Sequence, residues 1–90
     1  MSGGAFDYAY HHIGNMADEL EKKITADYDP QDGYHLDPHT LDRMRVLLAI
    51  LRAAKDMSYS AEWLYSGDTG EEQFGADFDK ALDELMESIA

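Results

Sequence analysis

The 90-residue chain carries nineteen acidic residues against seven basic ones, a formal net charge of −12 at pH 7. That length is one small domain. Its field repels nucleic-acid backbones and anionic membranes over a Debye length, so direct nucleic-acid binding is not expected and a basic protein is the natural partner. Cysteine is absent, which removes disulfides, thiolate nucleophiles and Cys-based zinc sites and fits a reducing compartment.

The first predicted helix covers residues 5–26. Phe6, Tyr10, Ile13, Ala17, Leu20 and Ile24 recur at helical spacing and form a core-facing stripe. Asp7 falls in the expected first turn and Lys22 and Lys23 in the last, where each charge suits the helix dipole. Gly14 is a weak point of about 1 kcal/mol relative to Ala, unless another helix comes close there. The opening MSGGAFDYAY has neither the basic nor the apolar region of a signal peptide, and the longest apolar run, Val46 to Leu51, is too short for a membrane span. The expected location is the cytoplasm, with no membrane association.

Residues 27–36, DYDPQDGYHL, read as a connection rich in Asp, Pro and Gly. Asp27, Asp29, Asp32 and Gly33 resemble a calcium loop, but the third acid and the Gly come one residue late and the twelfth position is Pro38. Solvated loop acids are the better reading. His11, His12, His35 and His39 lack a recognised ligand spacing, since adjacent helical histidines diverge by about 100°. His11 is better matched to Asp7 as an i,i+4 pair. No metal and no cofactor is expected.

The segment from Pro38 to Tyr65 is the organising element. Asp37 is an N-cap acceptor ahead of Pro38, whose φ is already set for the first helical position. Gly67 offers a left-handed stop. Unbroken, this helix spans roughly 42 Å. Leu47, Ile50, Leu51, Ala54, Met57, Ala61, Leu64 and Tyr65 gather on one side, and Arg45, Arg52, Asp56, Tyr59 and Trp63 on the other. Leu41, Met44 and Leu48 widen the apolar arc beyond what one neighbour can cover, so they are candidate self-association residues.

The third predicted helix covers residues 70–88, with Phe74, Phe78, Leu82, Leu85 and Ile89 on one face. Thr69 to Glu72 matches a capping box. Glycines ahead of a helix invite a phosphate-binding reading, but Asp68, Glu71 and Glu72 would repel an anion there and no P-loop Lys is present. Asp77, Asp79, Asp83, Glu84 and Glu87 face only Lys80 and form a candidate surface for a basic protein, although a solvated face that keeps a small protein soluble is the more common role of such a row. Tyr59 and Trp63, aligned with Arg45 and Arg52, form a second candidate surface, because aromatic and Arg residues favour binding hot spots. Packing under the following turn is their ordinary alternative.

Together these elements predict an all-α protein, an antiparallel three-helix arrangement with a long central helix. The overhang of that helix either breaks near Asp56–Ser60 or is covered by a second copy in a homodimer. No nucleophile elbow, Ser/His/Asp order or paired-acid signature stands out, so catalytic residues are not expected.

Trp63, Leu64, Ser66, Gly67, Asp68, Gly70, Glu71 and Phe74 spell a W-L-x-S-G-D-x-G-E-x-x-F block. With the opening MSGGAFDYAYHHIGNMADELEKKI, the chain resembles short phage and prophage proteins of proteobacteria. That resemblance covers most of the sequence and implies a genomic setting without a mechanism. In that setting the leading expectation is a non-enzymatic inhibitor or modulator of a host protein, of the counter-defence or anti-CRISPR type, whose carboxylates imitate nucleic-acid charge. The alternatives are a self-assembling phage accessory protein, or an oligomer that captures a nucleotide with Arg43, Arg45 and Arg52.

Overall fold

The computed structural model describes residues 6–26 and 36–90. Three helices make up the all-α fold: α1 (Tyr10–Thr25), α2 (Pro38–Tyr65) and α3 (Glu71–Ile89). The acidic loop cluster at Asp27, Asp29 and Asp32, together with His35, lies outside the described residues.

α2 runs unbroken for 28 residues. The Asp37 side chain accepts from the His39 N–H at 2.8 Å, and Pro38 occupies the first turn where a missing N–H costs nothing. At the other end Gly67 adopts φ 82°. The Gly67 N–H reaches the Leu64 carbonyl and the Asp68 N–H reaches the Trp63 carbonyl, which together are a Schellman closure. Asp56 to Ser60 does not interrupt the helix.

Two helix starts differ from the local sequence signals. α1 begins at Tyr10, not at residue 5, because Asp7 and Tyr8 both take left-handed backbone conformations at φ 56° and 57°. Asp7 is therefore outside the first turn, and the His11 ring lies against Tyr10 with centroids 4.4 Å apart instead of pairing with Asp7. α3 starts after Gly70, which has no side chain to cap with, so the Thr69–Glu72 capping box does not form. The closure after α2 sets this register. Thr69 is taken up beside Trp63 and Asp77, and Glu71 and Glu72 supply first-turn negative charge in place of a side-chain cap.

Both outer helices run antiparallel to α2. Tyr10 meets Tyr59 near one end of the layer, while Leu20 and Ile24 share a pocket with Leu41 and Met44 near the other. On the opposite flank, Ser60 bonds Asp77 and Ser88 lies near Ala49. α1 and α3 each pack on α2 and not on one another. The result is a plate of 51 × 28 × 12 Å, one helix thick.

Small residues make the seams. Ala17 is buried on α1, Ala53 on α2 and Ala81 on α3, while Tyr10 is the one large apolar side chain buried among the described residues. At Gly14 an added Cβ would stand 3.2 Å from the Lys55 stem, so the glycine admits a long side chain from α2 across α1. Arg52 ties the same pair, reaching Glu21 at 3.0 Å and Asp18 at 3.7 Å. These groups are largely solvent-exposed, so each pair contributes at most about 1 kcal/mol.

Ala17→Leu should force α1 away from α2 and lower stability by about 1–3 kcal/mol. Gly67→Ala should cost roughly 1 kcal/mol through its left-handed φ. Urea unfolding would read both as lower midpoints at an unchanged slope.

Candidate functional site

α2 divides the plate into two unlike faces. One face, by helical position, carries Leu47, Ile50, Ala54, Met57 and Ala61 from α2, Ile13 and Met16 from α1, and Phe78, Leu82 and Ile89 from α3. Ile50, Met16, Phe78, Leu82 and Ile89 are all exposed there. The reverse face holds Arg45, Arg52, Asp56, Tyr59 and Trp63, flanked by Asp18 and Glu21 on α1 and by Asp77 and Glu84 on α3.

Within the reverse face, a groove of about 270 Å³ runs between α2 and α3, lined by Asp56, Tyr59, Ser60, Asp77, Lys80 and Glu84. Asp77 is engaged internally: it accepts from Gln73 Nε2 at 2.9 Å and from the Ser60 hydroxyl at 3.4 Å. Glu84 opens into the groove beside Lys80. Asp79, Asp83 and Glu87 are exposed, with Asp79 and Asp83 on the outer edge of α3 away from α2. The five acids of α3 from Asp77 onward are therefore split, two turned toward α2 and three outward.

The aromatic residues belong to a cluster at the end of the plate. Tyr10 stands edge-on to Tyr59 at 5.0 Å and to Tyr8 at 6.4 Å, and Tyr59 leans on Trp63 at 5.7 Å. Burial, then the neighbouring Tyr59, Glu62 and Tyr8, push the Tyr10 phenol above its ordinary value. Tyr59 keeps an exposed edge, whereas Trp63 is half-buried beside the Asp68–Thr69 turn with its indole N–H buried and no hydrogen-bond partner. Arg45 bonds Asp42 at 3.1 Å. It lies about 21 Å along α2 from Tyr59, so Arg45 does not share a patch with the aromatic residues.

Leu41, Met44 and Leu48 face α1. Leu41 and Met44 line, with Leu20, Ile24 and Leu36, a pocket of about 450 Å³, and Leu48 stands one turn further along the same side. The open part of the apolar arc lies elsewhere, at Leu47, Ile50 and Met57.

Glu62 is a functional-looking residue that its local sequence gives little reason to single out. It is 1% exposed, and both carboxylate oxygens accept from the Tyr8 N–H, at 2.8 and 3.0 Å. The two left-handed residues Asp7 and Tyr8 aim that amide at it, and Phe6 then reaches Tyr65, edge to face at 5.5 Å. The one available signal is an acid in the final turn of a helix, where the dipole disfavours negative charge.

Among the described residues no group of three or more His, Cys, Asp or Glu side chains could hold a metal ion, and no described helix is long and apolar enough to cross a membrane. No family model, curated protein or solved structure matches the chain.

Glu62→Ala should remove the acceptor of the part-buried Tyr8 N–H and cost about 1 kcal/mol or somewhat more. Hydrogen exchange at the start of α1 should quicken while α3 amides keep their protection, a pattern that a merely global loss of stability would not give.

Proposed function

We propose that this chain is a small non-enzymatic protein-interaction module, which covers its apolar face with protein and offers an acidic edge to a basic partner. The observation that carries this reading is the sorting of side chains on a plate one helix thick. Apolar residues from all three helices share one side, while Asp79, Asp83 and Glu87 point outward and make no ion pair among the described residues. A domain of helices needs at least two packed layers to enclose a core, so a lone plate is built to meet another surface.

The acidic edge suits recognition by attraction at a distance. Carboxylates spaced along an exposed helix raise the encounter rate with a basic surface and reject nucleic acid. In the phage setting implied by the sequence resemblance, that partner is a host protein and the module is its inhibitor or modulator. Arg52 is already held by Asp18 and Glu21, and Arg45 by Asp42, which weighs against capture of a nucleotide by these arginines.

Charge reversal at Asp79, Asp83 and Glu87 should remove binding to the basic partner while leaving the circular-dichroism spectrum unchanged. Binding of the unaltered chain should fall at least about tenfold as salt rises from roughly 50 to 500 mM, because exposed charges are screened. Unchanged affinity in the triple variant would sink the acidic-edge reading.

A further inference from the structure

We infer that the occupant of the apolar face is a second copy of this chain, related by a two-fold axis passing close to Ala54, giving a two-layer dimer of six helices. The inference rests on the interaction reading above and names the partner of the apolar side.

The size of the uncovered surface is the first support. The chain exposes 6553 Å², against about 5,300 Å² for a compact protein of this mass. Its radius of gyration is 16.1 Å, where a compact chain of this length has about 12 Å. The excess over the whole molecule is on the order of 1,000 Å², enough to accommodate the share one partner contributes to a standard-size stable interface. It is apolar where it matters: Ile50 is 45% exposed, Met16 54% and Leu82 40%.

Only four apolar residues are fully buried among those described, which leaves much of the apolar side of the plate open to cover by another surface. Charge agrees. Between Leu47 and Ala61 on α2, and between Phe78 and Ile89 on α3, no ionised side chain stands on this face by helical position. Apart from Glu71 in the first turn of α3, which lies in line with Phe78 and Ile89 near the end of the plate, two chains of net charge −12 can therefore meet with their helical carboxylates directed outward.

Shape places the axis. Ala54 is the small residue at the middle of the α2 apolar stripe. A two-fold there lays the two α2 helices antiparallel and sets Leu47 opposite Ala61 of the partner subunit, large against small. The same symmetry brings Arg43 opposite the partner's Tyr65, a ring that is 74% exposed in the single chain and suited to a cation–π contact. Such an isologous contact closes on itself and uses the whole face once.

Light scattering of the purified full chain, with thermal unfolding followed at concentrations roughly a hundredfold apart, tests the occupant. The expected result is twice the 10.2 kDa chain mass and a Tm that rises with concentration. A single-chain species without cooperative unfolding would overturn the second copy but leave the interaction reading standing, with a different protein as cover. A single-chain species that unfolds cooperatively at a concentration-independent Tm would overturn both. Ala54→Cys in this cysteine-free chain tests the axis. A disulfide-linked dimer of native helix content should form on oxidation, since a near-axial pair falls within disulfide reach. A wild-type dimer whose Ala54→Cys variant fails to cross-link would overturn the axis.

Discussion

Everything in this fold follows from α2 having its two neighbours on opposite flanks. A helix placed between two others can either let them touch, closing a bundle, or hold them apart, leaving a plate. Here they are held apart. Among the described residues the interior is the pair of seams along α2, and its fully buried positions are mostly small because close approach of two backbones needs Ala17, Ala53 and Ala81. Leu47, Ile50, Met57, Phe78 and Leu82, which would fill a bundle core, instead share one side of the plate, while Leu41, Met44 and Leu48 border the α1 seam. The polar character of the reverse side has the same origin, since Arg52, Asp56 and Tyr59 occupy the part of α2 that a closing third helix would otherwise cover.

The legibility of each element in the sequence depended on how local its cause was. α2 was readable at both ends because Asp37, Pro38 and Gly67 act within one turn of the backbone they control. The sorting of α2 into an apolar and a charged side was readable for the same reason, as it needs only the helical period. The start of α1 was not. Phe6 continues the apolar spacing perfectly well, and what breaks the helix is a tertiary bond from the Tyr8 amide to Glu62, 54 positions away. The capping box failed for an intermediate reason: the pattern at Thr69–Glu72 is local, but the chain reaches it in a register dictated by the closure at Gly67.

The candidate site was legible in part. Asp79, Asp83 and Glu87 are outward by period alone, whereas the engagement of Asp77 by Ser60 and Gln73 could only be known once α3 had a neighbour. Leu41, Met44 and Leu48 show the same limit. Their excess over one neighbour was plain in the sequence, but the period cannot say which part of a wide arc α1 takes and which part stays open. A closed bundle and an open plate require the same stripes and the same loop lengths. The difference lies in angles between flanks that differ by a fraction of a turn.

The arrangement of seams has a mechanical consequence. α1 and α3 share no contact, so α2 works as a spine carrying two leaves, each fastened along one line. Either leaf can lift while the other stays down, and the free energy of lifting each is set by its own seam alone. The α1 leaf has an added clasp in the Glu62 carboxylate and the aromatic contact of Phe6 with Tyr65, placed at the tip where peeling would begin. The α3 leaf ends at Ile89 and Ala90 with no described fastening of that kind. Openings should therefore start from the α3 terminus, and a force or ligand acting on one leaf reaches the other only by bending a 28-residue helix.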